Sequence, residues 1–458
     1  MPELTYEPQP KEAGLSMSQH TSDPAPGEGS GAAVLTDPHE HHWIQEPTEP
    51  ASGKYIGWLL AAQLFFFIAL LGPAIVGIGL KITDLVHQGA IPENGAIAAA
   101  SVVGGVGAVF AAVANVVFGR VSDRTTSRWG RRRIWIVLGS IVMTFAFFIM
   151  ATAPNLAMTT VGWAIAQCGA NMTLAPFIAT IADQVPKFQR GSITAALGIA
   201  QNVGILGGTY VAEFFQTNML AMFVGPSILA IVVLVIFAVV LPDKVLPVKP
   251  PRMTLREWGE TFWVDPIKHR DFALAWWSRF FITLASYMFT TFRFFYINLH
   301  LVVPEGEVAR VISTSVLIYT IALVASAWAA GKLSDKIGRR KIFVWTSTVL
   351  FALCTVALAF LQTELHYYMI EAVMGFAFGI YVGVDLALVV DVLPNPDDSG
   401  KDLGVFNIAN SVPQTLGPVL SGILVYVGTY PNFELALFVA GGACLLGALV
   451  IFPIKGVR

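Results

Sequence analysis

From about residue 55 to residue 454 the chain is a succession of apolar runs, each long enough to reach across a bilayer and each closed by a short polar gap. A hydrocarbon core needs about 20 apolar residues per helix. That template predicts spans at 55–80, 93–119, 134–153, 156–181, 191–215 and 219–241, then a polar stretch from Pro242 to Asp271. The series resumes at 272–300, 308–331, 342–362, 365–393, 402–427 and 433–454. The expected fold is an all-α membrane protein with twelve transmembrane helices in two six-helix bundles, 53–241 and 272–458, joined by a loop at 242–271. Residues 1–52 break the pattern: they are rich in Pro, Glu, Ser and Gly, and have too few aliphatics to offset the entropy of ordering. They predict a disordered tail, and they lack the basic start and apolar core of a signal peptide. His39, His41 and His42 lie in this tail and are not read as a metal site.

Composition agrees with the pattern. Apolar residues make up 55% of the chain, charged residues 13%, and the mean hydropathy is +0.66, outside the range of soluble domains. A net charge of -2 excludes a polyanion-binding surface, so no nucleic-acid partner is expected. Cys168, Cys354 and Cys444 lie far apart inside apolar runs, where they suit packing rather than a disulfide framework or metal site.

The basic residues set an orientation. With both termini cytoplasmic, lysines and arginines concentrate in the inner segments; only Lys81 and Arg310 fall outside, and Arg279 and Arg293 lie within a span. That asymmetry is the positive-inside signature.

The densest inner segment, GRVSDRTTSRWGRRR at 119–133, returns in shortened form as GKLSDKIGRRK at 331–341, each between the second and third span of its half. DQVP at Asp183 and DVLP at Asp391 form a second pair, and LGIAQNVG at 197 with FNIANSVP at 406 a third, all about 210 residues apart. The halves are one duplicated unit. The Gly-x-x-x-Asp-Arg/Lys-x-Gly-Arg-Arg/Lys pattern in both halves of a twelve-span chain resembles the major facilitator superfamily, from about residue 55 onward. The resemblance implies a cytoplasmic gate that latches shut in the outward-facing state, built from Asp123, Arg124, Arg131 and Arg132 in the first half and Asp335, Arg339 and Arg340 in the second. Asp183 and Asp391, at the inner ends of the fourth and tenth spans, are natural acceptors for those arginines.

The expanded DRTTSRWGRRR form, with Asn407 and Pro413-Gln414 in NIANSVPQTLGP, is similar to the sucrose-type transporters and the broader glycoside and pentoside cation symporters. That implies a sugar carrier driven by a cation gradient. The chain departs from the group in having no histidine in span one and, apart from Glu93 at the first position of span two, no acidic residue in spans two and four before Asp183. It also has neither PESPR after span six nor PETKG after span twelve, the signatures of the classical sugar porters.

Ionisable residues inside the membrane cost about 2.5–3.5 kcal/mol each on insertion scales, so they are expected to be paired or functional. Span seven carries Arg279 and Arg293, and span ten carries Glu371 and Asp385, fourteen residues apart in each case. Fourteen residues return to within about 40° of the same helical face and rise about 21 Å. Since the helices run in opposite directions, the spacing predicts two rungs, Arg279 with Asp385 and Arg293 with Glu371. Either the rungs are permanent struts, or one of them, Glu371 with Arg293, couples to protons: protonating the carboxylate would release the arginine. Glu213, near the outer end of span five, is expected to be an exposed rim residue.

Neutral polar residues outline a pocket. Gln63 falls in span one, Gln167 and Asn171 share a face of span four, Gln201 and Asn202 lie in span five, and Asn407, Ser411 and Gln414 form a stripe on span eleven. Amide groups backed by aromatic faces such as Trp58, Trp163, Trp277 and Tyr287 suit a hydroxyl-rich solute. Interhelical hydrogen bonding is the alternative use of each. The Gly- and Ala-rich spans two and five permit close, sliding helix contacts. The expected function is proton-coupled symport of a di- or oligosaccharide or glycoside by alternating access, by a monomer with no cofactor in the cell membrane. The competing readings are an exporter of drugs or amphipathic metabolites and a transport-dead sensor. No nucleotide-binding or hydrolytic motif points to an enzyme.

Overall fold

Five of the long helices begin where an apolar run meets a capping side chain. Ser52, Asn155, Asn218, Thr363 and Asn432 each accept a hydrogen bond from the backbone N–H three residues on, satisfying one of the donors that a helix start leaves open. The computed structural model describes residues 47–243, 245, 265–392 and 399–454, and among them every regular element is helical. The first crossing is α1 (Gly53–Gly72), a π-helical turn at Pro73–Gly77, and α2 (Ile78–His87). It is followed by α3 (Ala96–Asp123), α4 (Arg133–Thr152), α5 (Leu156–Gln184), α6 (Lys187–Phe214) and α7 (Met219–Val240). The second series is α8 (Arg270–Phe295), which ends in a π-helical turn at Tyr296–His300, then α9 (Glu305–Ile337), α10 (Arg340–Ala357), α11 (Glu364–Asp391), α12 (Ser399–Leu424) and α13 (Phe433–Ile451).

Eleven of these crossings are long and apolar enough to span a membrane. The 26-residue α12, which carries the polar stripe of the eleventh predicted span, completes the twelve. Residues 1–46 and most of the stretch at 242–271 lie outside the described residues, as do the side chains of Asp335, Asp391 and Asn407.

The duplication visible in the motifs is repeated in the packing. In the first series α1 packs on α6 and α7, α3 on α5, and α4 on α5 and α7. The second series has the same scheme six crossings later: α8 on α12 and α13, α9 on α11, and α10 on α11 and α13. Both series place a π-helical turn late in their first crossing. Glycines set the closest approaches. A Cβ at Gly208 would lie 2.8 Å from Gly72 N, and one at Gly169 2.5 Å from Met143 N. Gly375, Gly379 and Gly383 form a stripe on α11 against the α9 backbone at Tyr319, Leu323 and Ala327. With no difference in apolarity between lipid tail and side chain, such small-residue contacts let helices associate through close dispersion packing.

Aromatic residues fill each half: Phe147 and Phe223 in the first, and Phe292, Tyr296, Tyr367 and Phe433 in the second, all fully buried. Large apolar side chains such as Val113, Phe145, Val239, Trp328 and Leu446 cover the outside, the surface expected of a protein solvated by lipid. Lys81 and Arg310 sit within α2 and α9. Lys81 is buried, and its Nζ donates to Asp84 Oδ2 at 3.2 Å and to the Ala151 carbonyl at 3.3 Å.

Candidate functional site

The end of the molecule where α3 leads into α4, and α9 into α10, carries the duplicated motif. Its glycine has a physical reason in both copies. Gly130 has φ +101° and Gly338 φ +67°, a half-plane that side chains with a Cβ rarely enter. In the first copy the arginines gather on Asp183 at the end of α5. Arg131 Nη2 lies 2.5 Å from Asp183 Oδ1, and Arg132 Nε 3.0 Å from Oδ2. Arg132 also reaches Asp123 Oδ1 at 2.5 Å and donates to Ser122 Oγ at 2.6 Å. Arg132 and Asp183 are largely buried, so this network is shielded from screening.

Asp243, just past α7, was not singled out from the sequence. Its Oδ2 accepts the backbone N–H groups of Arg132 and Arg133 at 2.7 and 3.0 Å, capping the start of α4, which has no side-chain cap of its own. Arg133 in turn donates to the Leu241 carbonyl. The only available signal was an aspartate after a span, which is common. Arg124 and Arg340 also have interactions within the protein, and Arg339 is exposed.

The intramembrane charges of α8 and α11 meet in two rungs. Arg293 Nη2 lies 2.8 Å from Glu371 Oε1, and Arg279 Nη1 contacts Asp385 Oδ2. The first rung is sealed: the Glu371 side chain is 2% exposed, and Arg293 also donates to Tyr367 Oη at 2.8 Å and Ser315 Oγ at 2.7 Å, with its guanidinium over the Phe289 and Tyr367 rings. The second is open on one side. Arg279 is 25% exposed, donates from Nε to Asn410 Oδ1 at 2.8 Å and lies 4.9 Å over the Phe406 ring of α12.

The neutral polar residues divide. Asn171 Nδ2 donates to the Gln167 carbonyl and Asn202 Nδ2 to the Gly198 carbonyl, both bonds within their own helix. Asn171 Oδ1 accepts from Asn115 of α3 at 3.0 Å, a partner the sequence reading passed over although an asparagine within an apolar run is a visible signal. Gln63 is buried, and its Oε1 has no hydrogen-bond partner among the described residues. Tyr287 and Gln414 are half-buried, with Tyr287 packed on Gly417 of α12. Trp163 is buried: it fills the space opposite Gly107 and stacks with Phe147.

The halves meet mainly through α3 on α12 and α6 on α9. The named contacts cluster at the end opposite the arginine motif, here called the distal end. Ala98 N–H and the Asn94 carbonyl both bond Tyr426 Oη, Gly422 faces Ser101, and Gly79 abuts the Phe294 ring. His87 Nε2 lies 3.2 Å from Glu305 Oε2. Glu213 belongs to this seam. It was expected as an exposed rim residue, but it is half-buried and hydrogen-bonded to Ser313 of α9, because α6 carries it against the partner half.

A model of the Major Facilitator Superfamily matches residues 57–309 and 305–457. The chain belongs to the Major Facilitator Superfamily. With eleven helices long and apolar enough to cross a bilayer among the described residues, it is an integral membrane protein. Its superfamily relatives include citrate exporter 1 of Aspergillus niger, 32% identical over 133 residues, which are 29% of this chain and 24% of that protein. Multidrug resistance protein 3 of Bacillus subtilis is 27% identical over 23% of this chain and 20% of its own length. The chain thus spans only about a quarter of the length of these relatives. An uncharacterised superfamily transporter of Methanocaldococcus jannaschii is 21% identical over 76% of this chain and 84% of that one. Two solved structures share the fold. A nucleoside transporter has a TM-score of 0.65 at 14% identity, covering 87% of this chain and 98% of its own. A bacterial homologue of the lysosomal transporter Spinster, inward-facing and occupied, has 0.65 at 13%, covering 90% and 98%.

Proposed function

We propose that the protein is a proton-coupled symporter of a small polar solute, of the di- or oligosaccharide or glycoside class, working by alternating access. The observation that carries the coupling is the sealed Arg293–Glu371 rung. Charges buried this deeply are costly unless paired. Arg293 already holds Tyr367 and Ser315, so protonation of Glu371 leaves it with partners and lets α11 shift relative to α8. The distal contacts between the halves, together with Arg131 and Arg132 held within their own half by Asp183, fit an inward-facing state in which the 53–241 and 272–458 units rock about a central site. Both termini then lie in the cytoplasm of a cell whose plasma or inner membrane holds the protein as a monomer. The expanded arginine motif supports the sucrose-type and glycoside–pentoside branch, and the amides Gln63, Gln167, Asn171, Asn202, Asn407 and Gln414 with Tyr287 supply the solute contacts. Gln63, which has an uncommitted buried carbonyl oxygen, is first among them.

A second reading is a proton-coupled exporter of drugs or amphipathic metabolites, favoured by the glycine pair Gly204 and Gly208 packed on α1. A thermal-shift screen of sugars and amphipathic amines on purified protein, followed by pH-gradient uptake in liposomes, decides between them. Stabilisation and uptake with sugars support symport; a response to amines alone supports export.

A further inference from the structure

Glu213 is the one carboxylate among the seam contacts above that is placed on a hydroxyl rather than on a cation, and the hydrogen count there is informative. Ser313 is fully buried, and its Oγ contacts two oxygens: the Arg310 carbonyl one turn back at 3.0 Å, and Glu213 Oε2 across the seam. A hydroxyl has one hydrogen and two lone pairs. If Ser313 donates to Arg310, as helical serines commonly do toward the preceding turn, its oxygen offers Glu213 only lone pairs. The contact is then a hydrogen bond only when Glu213 carries the proton.

Among the described residues no cation is paired with Glu213. On α2, Lys81 holds Asp84, and His87 holds Glu305 of α9. On α9, Arg310 holds Glu307 at 2.8 Å and Glu364 of α11 at 3.3 Å. Helix α7 carries no titratable side chain, and on α6 itself the neighbouring phenol is Tyr210. Phe214 and Phe215 flank the carboxyl with apolar surface.

We propose that Glu213 is a second proton site: protonated, it donates to Ser313 Oγ and clasps α6 to α9 with the distal end closed; on opening, it releases its proton to the distal solution. This rests on the alternating-access reading and adds to it a residue outside the α8–α11 rungs. With one proton released per opening, the open-to-closed ratio rises about ten-fold per pH unit wherever the closed state is protonated and the open state is not.

The test uses full-length protein in liposomes with spin labels at Thr217→Cys and Leu365→Cys, exposed positions at the distal end of either half. A His87→Gln background removes the other titratable contact across the seam. The label distance is expected to lengthen with rising pH, while Glu213→Gln, a neutral donor, stays closed at every pH, and Ser313→Ala, which removes the acceptor, is open at every pH. A pH response in Glu213→Gln equal to that of the parent, or none in the parent, overturns the clasp. Solute flux in the same liposomes separates the two ideas: a protein that transports with a pH-independent distal end loses the clasp and keeps the transporter reading. One that never changes label distance under any solute or pH loses both.

Discussion

Arg293 and Glu371 face each other 2.8 Å apart across α8 and α11, inside a shell made of Tyr367, Ser315 and Phe289. Removing one member of a buried pair leaves the other uncompensated, at a cost of about 3–5 kcal/mol, whereas replacing both with apolar residues of similar volume is often neutral. Arg293→Met should therefore lower the melting temperature sharply, and the double variant Arg293→Met with Glu371→Leu should recover most of the loss. Thermal denaturation in detergent measures both.

Asp243 supplies α4 with the cap its own sequence lacks. Asp243→Ala should cost about 1 kcal/mol, the usual worth of a cap, while Asp243→Asn, which keeps an acceptor oxygen, should lose less. Because the same carboxylate fixes the arginine loop, Asp243→Ala should also quicken labelling of a cysteine placed at Arg128, read as a modification rate.

The motif glycines should not be equivalent. Gly338 lies at φ +67°, within the left-handed helical region, so Gly338→Ala should cost about 1–2 kcal/mol. Gly130 lies at φ +101°, and a Cβ there would fall 2.6 Å from Asp243 Cγ. Gly130→Ala should be the more destabilising, and a comparison of melting temperatures checks the order.

Gly208 and Gly72 bring α6 and α1 together with no room for a methyl group. Overpacking of this kind typically costs about 1–3 kcal/mol. Gly208→Ala should be destabilising, whereas Gly198→Ala on the same helix, which has open space around it, should not. Denaturation of the two variants side by side measures the contrast.

The crossings were legible because apolar run length is nearly sufficient to define a membrane helix, and the duplication because a basic loop motif survives as text. The Arg279–Asp385 and Arg293–Glu371 partners were legible because equal fourteen-residue spacing on antiparallel helices admits one alignment. Glu213 was misjudged because its place follows from how α6 leans on α9, a relation between segments about a hundred residues apart that no local pattern encodes. Asp243 was missed for the same reason. The packing of Trp163 was not legible because its partner is a gap, the missing side chain of Gly107.

Glu371→Gln tests the proposed coupling most directly. In liposomes with an inward proton gradient, using the sugar or glycoside that most raises the melting temperature, wild-type protein should accumulate the solute. The variant should keep solute exchange across the membrane yet lose gradient-driven accumulation. Undiminished accumulation by Glu371→Gln would contradict the account.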